Sequence, residues 1–154
     1  MARNIEISQA SIKNAEEVFA LVYPLLIELY PNEPTYTQEN IKNSTARLLQ
    51  DHPEYYGFVA YRDNEPIGYI GLNACASIYA FGKFGEIAEL YVKPEFRNES
   101  AGAALVKHAI QIGKNQQWSM LEVGAPSVPE WNKTVNFYQR NGFEIVGPRL
   151  YKVI

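Results

Sequence analysis

The sequence is poor in the residues that build disulfide frameworks and metal centres. It has one cysteine, Cys75, and two histidines, His52 and His108, among 154 residues. A single cysteine excludes an internal disulfide and a cysteine-based zinc site, and it fits a reducing compartment. Two histidines also argue against a metal enzyme. We therefore expect no metal in the function of this chain.

Long apolar runs and excess positive charge are also missing. No uninterrupted run approaches the roughly 18 apolar residues of a membrane helix, and Glu6 interrupts the stretch that a signal peptide would need. The 14 basic and 17 acidic residues give a net charge of −3. Proteins that bind nucleic acid present a positively charged surface to the phosphate backbone, which is the opposite charge. We expect a cytoplasmic protein that binds neither a membrane nor nucleic acid.

Apolar residues are abundant, and aromatic residues are more abundant than a minimal core requires. Hydrophobic residues make up 47% of the chain and aromatic residues 13%, including 11 tyrosines. A chain of 154 residues is long enough to bury one hydrophobic core without covalent support. Because no internal repeat or composition shift marks a boundary, residues 1–154 are predicted to form a single domain.

Hydrophobic periodicity alternates between the two kinds of regular structure. Apolar stripes at helical spacing predict four helices, and Pro24 is expected to kink or divide the first of them. Asn14 and Glu17 have capping-box spacing at its start. Together with the strand patterns, this predicts an α/β (α+β) fold with a single mixed, mostly antiparallel sheet and helices on both faces. The predicted helices are 14–29, 37–50, 100–114 and 130–140, and the predicted strands are 4–8, 55–61, 66–74, 86–92, 120–123, 143–146 and 150–153.

One junction between a strand and a helix carries the strongest chemical signal. A strand ends at Val92, Arg97 lies in the following turn, and a helix begins near Ser100. The unpaired N–H groups and the positive end of a helix bind phosphate. Small residues at such a junction also serve plain close packing, so the junction alone is weak evidence for a phosphate site.

The order of residues around this junction resembles the GNAT superfamily of acyl-CoA-dependent N-acyltransferases. The family signature, Arg/Gln-x-x-Gly-x-Gly/Ala, follows a strand. Here Arg97 and Gly102 occupy its first and last positions after the family-like Leu-Tyr-Val-x-Pro-Glu-Phe. The hairpin 58–69 resembles the family's central strands, and 132–143 resembles its C-terminal helix. The resemblance covers nearly the whole chain in the right order.

Two residues depart from the signature. Ser100 replaces the family's first glycine, and Asn98 stands where another glycine is common. At a positive φ a Cβ costs about 1 kcal/mol, and it would occupy space beside a pyrophosphate. Serine is nevertheless a good N-cap residue whose hydroxyl can donate to phosphate, and asparagine tolerates left-handed backbone. We expect CoA to bind.

The resemblance implies acetyl-CoA as the co-substrate, with its pyrophosphate over the turn and its pantetheine arm along the preceding strand. The thioester would lie near Val92, where a backbone N–H could polarise its carbonyl. The amine would attack directly, without an acyl-enzyme. The residues that the resemblance implies for cofactor binding are Leu90, Tyr91, Val92, Arg97, Asn98, Glu99, Ser100, Ala101, Gly102, Ala103 and Asn132.

Proton transfer requires further groups. An amine with a pKa near 10.4 arrives protonated, and a carboxylate or a water that it orients can deprotonate it. Glu86 and Glu89 lie on the right strand, but three positions apart they face opposite sides unless a bulge intervenes. The resemblance supports either one as the base. Both would otherwise be ordinary solvated charges.

Tyr138 matches the tyrosine that serves the family as the acid for the leaving thiolate. The competing interpretation is core packing, because Trp131, Val135 and Tyr138 fall on one helical face. The spacing of Tyr138 to Gly142 and Phe143 favours the functional role, since it matches the family pattern.

The predicted function is acetyl transfer to a primary amine, with a small molecule as the first choice of acceptor. A protein N-terminus or lysine is one alternative, and a non-catalytic acyl-CoA-binding regulatory domain is another. An acidic cluster near the first two helices slightly favours a cationic acceptor, and a homodimer stays open. The cluster comprises Glu16, Glu17, Glu28, Glu33 and Glu39.

Overall fold

The structure is a computed structural model that describes residues 4–125 and 132–154. Contacts within the chain group it into two compact units, one ending at Glu122 and the other spanning Val123–Ile154. These described residues contain four helices and five strands, which confirms the predicted fold class. Among the described helices, none combines the length and the apolar character needed to cross a membrane.

The sheet has five strands in the order β1-β2-β3-β4-β5, and the first four pair antiparallel along the chain. The helices α1 and α2 come between β1 and β2, and α3 comes between β4 and β5. Short 3-10 turns precede α1 and follow β4. The strands are β1 (Ile5–Gln9), β2 (Tyr55–Arg62), β3 (Glu65–Ser77), β4 (Gly82–Val92) and β5 (Leu121–Val123); the helices are α1 (Ala15–Leu29), α2 (Gln38–Asp51), α3 (Ala101–Asn115) and α4 (Asn132–Arg140).

Helices cover both faces of the sheet, as predicted. Val18 and Leu21 of α1 form a buried cluster with Tyr69 of β3. On the other face, a Cβ built on Gly68 would lie 3.2 Å from Leu105 of α3. Because successive strand residues point to opposite faces, Gly68 and Tyr69 place α3 and α1 on opposite sides.

The predicted hairpin between β2 and β3 is present. Asp63 and Asn64 form its tip with φ angles of 50° and 65°. Two consecutive positive φ angles define the type I′ turn, whose twist matches that of the flanking strands. Aspartate and asparagine tolerate this conformation better than most residues. The turn fixes the pairing of Arg62 with Glu65, and a register shift between Ala60 and Tyr61 then sets the pairing of the two strands at the site described below.

The start of the first helix differs from the prediction. Asn14 and Glu17 do not form a capping box; instead Asn14 Oδ1 accepts from the backbone N–H of Ser11 at 3.0 Å, one turn earlier. Ser11 and Asn14 have the same three-residue spacing as the predicted pair, and they form the capping box at the 3-10 turn that precedes α1. Pro24 does not divide α1, which is continuous over Ala15–Leu29. Thr37, predicted as the first residue of α2, is instead its N-cap, with Oγ1 accepting from Asn40 N–H at 3.1 Å.

In the second unit, α4 ends at Arg140. Gly142 follows with a φ of +92°, a conformation that favours glycine just after a helix C-terminus. The predicted strands 143–146 and 150–153 are wrong, because neither segment is a strand in the structure. Neither segment pairs with a strand of the described sheet, which consists of β1–β5.

Candidate active site

Glu86 and Glu89 lie on the same face of β4 because the strand contains a bulge. Glu89 pairs with Gly71 of β3, and Glu86 pairs with Asn73, with the register shifting in between. Ala88 is the extra residue on β4. Since Gly71 and Asn73 are two positions apart and share a face, their partners share that face too. The bulge that the sequence requires for a two-carboxylate site is therefore present.

Glu89 is held by two tyrosines that sequence reasoning missed. The hydroxyl of Tyr55 on β2 donates to Glu89 Oε2 at 2.7 Å. The hydroxyl of Tyr69 on β3 lies 2.6 Å from that of Tyr55. Burial raises the pKa of Glu89 above its ordinary value; the bond from Tyr55 opposes this rise, and the charge of Glu86 adds to it. A carboxyl with a raised pKa is a better proton acceptor than a solvated one.

Two glycines make the room for this cluster. Gly57 and Gly71 pair directly across β2 and β3. A Cβ on Gly71 would overlap Glu89 Oε2 and the Tyr55 hydroxyl, and one on Gly57 would overlap the Tyr69 hydroxyl. In each strand the glycine follows the tyrosine by two positions and so shares its face. Tyr-x-Gly on two paired strands was the sequence signal for the site.

A cavity of about 70 Å³ lies over this cluster, between the sheet and the helices α1 and α2. Its walls are mainly aliphatic, and Glu89 is the charged group among them. The Thr45 hydroxyl donates to Ile41 O at 2.7 Å, so its proton is already used. The lining residues are Val18, Val22, Leu26, Ile41, Ser44, Thr45, Leu48, Leu49, Tyr55, Tyr69 and Glu89.

The predicted acidic cluster lies elsewhere. Glu17 accepts from the Tyr61 hydroxyl, Glu28 pairs with Arg97, and Glu33 binds the hydroxyl of Thr35 at 2.7 Å. In the described part of the chain, none of the five glutamates of that cluster lines the cavity. The expectation that they form an acidic lip over the acceptor therefore has no support in the cavity lining.

The turn between β4 and α3 contains a short 3-10 turn and one residue in the left-handed region. A 3-10 turn, Pro94–Phe96, follows the strand, and Ser100 caps α3 with φ 67° and ψ 11°, in the left-handed region. Asn98 does not have a positive φ. Only the first of the two departures from the family signature therefore carries backbone strain. The Ser100 side chain makes no capping bond to the helix, so its hydroxyl is not used there.

Arg97 joins the turn to two other elements. Its Nε donates to Val92 O at 2.9 Å, and a terminal guanidinium nitrogen lies 3.2 Å from Glu28 of α1. The guanidinium also stacks over the Tyr91 ring at 5.5 Å. Arg97 therefore ties the turn to the end of β4 and to a helix that walls the cavity.

Glu99, also in the turn, pairs with Arg62 at the end of β2. The Arg62 guanidinium lies over the Phe96 ring at 5.8 Å, and its Nε is buried without a hydrogen-bond partner. Sequence reasoning missed Arg62, because its partner lies 37 positions further along the chain. The pair places a positive charge beside the Glu99 carboxylate of the predicted pyrophosphate turn.

The remaining edge of β4 is only partly covered by β5, which has three residues against eleven in β4. The bonds leading into β5 are at the start of β4, where Gly85 N–H donates to Met120 O at 3.0 Å and Ser119 N–H donates to Lys83 O at 2.9 Å. The segment Leu90, Tyr91 and Val92 is at the opposite end of β4.

In the second unit, Tyr138 is buried among aromatic rings of its own helix and the following turn. Its ring lies 5.3 Å from each of Phe137 and Phe143. Burial raises the pKa of Tyr138, so its phenol stays protonated. Asn132 is the first residue of α4 and is exposed. Glu130 and Trp131, predicted to begin this helix, lie outside the described residues.

Within residues 4–125 and 132–154, no group of three or more potential ligands could hold a metal ion. Cys75 is partly exposed, with its thiol 3.7 Å from Asn73 O. Burial raises the pKa of this thiol, which disfavours the reactive thiolate form.

The candidate site therefore combines a strand-turn-helix junction, a bulged strand and a half-buried carboxylate. Residues 16–143 match the model of the acetyltransferase (GNAT) family. The chain belongs to this family, and the fold implied by the sequence resemblance is confirmed.

Known relatives are N-acetyltransferases. One from Archaeoglobus fulgidus, itself uncharacterised, is 39% identical over 93 residues, which span 58% of this chain and 63% of the relative. An aminoalkylphosphonate N-acetyltransferase from Salmonella typhimurium is 26% identical over 139 residues, 90% of this chain and 84% of the relative. A GCN5-related N-acetyltransferase structure from Ralstonia eutropha JMP134 matches with a TM-score of 0.80 at 20% identity, covering 97% and 99% of the two chains. At that identity the likeness shows the fold alone.

Proposed function

We propose that this protein transfers the acetyl group of acetyl-CoA directly to a primary amine of a small molecule, with Glu89 as the general base. One observation carries the proposal. The carboxylate of Glu89, on the bulged strand β4, lines an aliphatic cavity and accepts a hydrogen bond from Tyr55. Such a carboxylate is desolvated enough to accept a proton and is aimed at the space where an acceptor would lie.

The residues at the turn fit an acyl-CoA. α3 begins at Ala101 with Gly102 and Ala103 in its first turn, and the first N–H groups of a helix have no partner within it, so they can serve a pyrophosphate. We assign the pyrophosphate to this turn, with the Ser100 hydroxyl as an additional donor. The pantetheine arm is assigned to the backbone of Leu90, Tyr91 and Val92, at the end of β4 away from the bonds to residues 119 and 120. Asn132 is kept as a contact to the arm on the resemblance alone.

Acetyl-CoA supplies the acetyl group as a thioester. Glu89 accepts a proton from the incoming ammonium, which frees the nitrogen lone pair for attack. The backbone N–H near Val92 donates to the thioester carbonyl as negative charge develops there. On the resemblance alone, Tyr138 is assigned as the acid that gives its phenolic proton to the leaving thiolate, whose pKa of about 8.5 makes this help modest. The second proton that the acylated nitrogen loses then restores the phenol. Glu86 is a second carboxylate on the same face and raises the pKa of Glu89.

The shape of the cavity supports a small acceptor. Its volume of about 70 Å³ exceeds the roughly 10–15 Å³ that a single water needs, and it suits an amine on a short aliphatic segment better than a bulky acceptor. With one charged group in the lining, it suits a single ammonium better than several. The Salmonella relative, by its name, acts on an amine carried by an alkyl chain, which agrees with this choice.

The test is a panel of amines with thiol release from acetyl-CoA as the readout. The panel contains short alkylamines, diamines, aminoalkylphosphonates, aminoglycosides and a lysine-containing peptide. Wild-type protein is compared with Glu89→Gln and with Glu17→Gln, a matched control in which another glutamate also accepts from a tyrosine. We expect turnover of short amines, a loss of at least a hundredfold in Glu89→Gln near neutral pH, and wild-type rates in Glu17→Gln.

Three outcomes would overturn parts of the proposal. Peptide acetylation above all small amines would make the acceptor a protein. Acetyl-CoA binding without turnover of any amine would make the chain an acyl-CoA-binding module. Wild-type turnover in Glu89→Gln would remove Glu89 from the mechanism.

A further inference from the structure

The hydroxyl pair of Tyr55 and Tyr69 has no role in the chemistry assigned so far. Both side chains enter the space above β2 and β3 that the two paired glycines leave open. We propose that Tyr55 is a positioning residue that orients the Glu89 carboxylate toward the acceptor, and that Tyr69 fixes Tyr55 in turn. The proposal rests on the proposed function of Glu89.

The direction of the hydrogen bonds follows from the chemistry of the groups. An ionised carboxylate only accepts, so Tyr55 must donate to Glu89 Oε2. The oxygen of Tyr55 is then free to accept from Tyr69 at 2.6 Å. Each phenol polarises the next in such a chain, which strengthens the bond to the carboxylate. Tyr69 therefore acts on Glu89 through Tyr55.

The two phenols also stay protonated. Burial raises the pKa of Tyr55, and the charge of Glu89 raises it further. Burial and Glu89 act in the same direction on Tyr69. Neither phenol ionises where the protein is folded and active, so Tyr55 remains a donor throughout. One carboxylate oxygen is thus occupied permanently, and the other is left to take the proton of the acceptor.

The electrostatic surroundings of Glu89 are simple. On its own strand the facing charge is Glu86, which raises the pKa of Glu89. β2 and β3 contribute the neutral phenols of Tyr55 and Tyr69. From α1 and α2, the described residues that line the cavity are aliphatic or carry hydroxyl groups. The bond from Tyr55 is therefore the interaction that favours the ionised form of Glu89 against burial.

Removal of the Tyr55 hydroxyl should change the pH dependence of the reaction. In Tyr55→Phe the carboxylate loses its donor, so burial and Glu86 act unopposed and ionisation needs a higher pH. We expect the acid limb of the kcat/KM profile to move to higher pH, with about a tenfold loss of kcat/KM below it. The KM for acetyl-CoA should not change. Tyr69→Phe should shift the acid limb of the kcat/KM profile in the same direction, but by a smaller amount.

The matched control is Tyr61→Phe. Tyr61 lies on the same strand, and its hydroxyl also donates to a glutamate, Glu17, outside the cavity lining. Removal of the Tyr61 hydroxyl breaks one hydrogen bond between a tyrosine and a glutamate and leaves the bonds of Glu89 unchanged. We expect an unchanged pH profile. A limb that moves equally in Tyr61→Phe and Tyr55→Phe would contradict a specific role for Tyr55.

A double-mutant cycle separates positioning from packing. If Tyr55 acts through Glu89, Tyr55→Phe should lower activity much less in the Glu89→Gln background than in wild type. An equal loss in both backgrounds, or a uniform loss at every pH, would make Tyr55 a packing residue and overturn the inference. If Glu89→Gln keeps wild-type activity, the proposed function fails instead. Should Tyr55→Phe not fold, as judged by its thermal transition, Tyr69→Phe provides the same comparison.

Discussion

Arg62 at the end of β2 forms an ion pair with Glu99, in the turn that precedes α3. The pair joins a central strand to the segment assigned to the pyrophosphate. A lone carboxylate there would repel a phosphate group, whereas a carboxylate beside a guanidinium repels it much less. Arg62 also stacks on Phe96 of the same turn. It thus controls the charge and the position of the turn together.

Arg62→Met should weaken the binding of acetyl-CoA. The Glu99 side chain is partly exposed, at 39%, so solvent screening keeps the effect small, about threefold to tenfold in Kd. Isothermal titration with acetyl-CoA measures it. Adding Glu99→Gln to Arg62→Met should restore most of the affinity. If the double variant binds as poorly as Arg62→Met alone, Arg62 acts through its contact with Phe96 and not through charge.

Ser100→Gly should relieve backbone strain at the start of α3. A left-handed serine costs about 1 kcal/mol or more, part of which the added freedom of glycine in the unfolded chain offsets. We expect a rise of up to about 1 kcal/mol in the free energy of unfolding, read from the denaturant midpoint. Gln117→Gly is the control, because Gln117 has a similar φ of 62° outside the turn. A tighter Kd for acetyl-CoA in Ser100→Gly but not in Gln117→Gly would show that the Cβ crowds the ligand.

Glu89 should make the fold less stable as the pH rises. Its pKa is raised in the folded state, so folding favours the protonated form. The favourable contribution is present below the ordinary carboxyl pKa and is lost as pH rises through the folded-state value. Glu89→Gln removes this dependence. We expect its melting temperature to exceed that of wild type increasingly from acidic to neutral pH; a difference that is constant with pH would contradict a raised pKa.

Tyr138→Phe should lower turnover while leaving the affinity for acetyl-CoA nearly unchanged. The phenol stays protonated because burial raises its pKa, as an acid must. We expect a fall in kcat of no more than about tenfold, since the thiolate is already a good leaving group without a proton donor. Single-turnover kinetics and titration together measure it. Tyr151→Phe, at an exposed tyrosine, serves as the control. Unchanged turnover in Tyr138→Phe would leave Tyr138 a packing residue.

Local patterns predicted the main elements because their signals lie close together in the sequence. The hairpin tip at Asp63 and Asn64 and the Thr37 cap are fixed by neighbours within a few residues. The need for a bulge between Glu86 and Glu89 also follows from spacing alone. The strands predicted after Phe143 failed because alternation reports a propensity, whereas a strand requires an aligned partner.

The tyrosine cluster around Glu89 was beyond local reasoning. Tyr55 lies 34 positions from Glu89, and their meeting depends on the register of three strands. One position of slip would turn every side chain of a strand to the opposite face. The surplus of tyrosines in the composition did not indicate which two of them bond to each other beside Glu89. Arg62 and Glu99 escaped prediction for the same reason.

Gly57 and Gly71 contribute no functional group, yet they determine where functional groups can be placed. The space above them is occupied by atoms from three other residues, so every side chain at Gly71 meets Glu89 or Tyr55 first. At this site the residues without a side chain should therefore tolerate substitution less well than the residues that carry a functional group. In a saturation library selected for activity, we expect Gly71 to accept fewer replacements than Tyr69, which Phe can replace at a moderate loss.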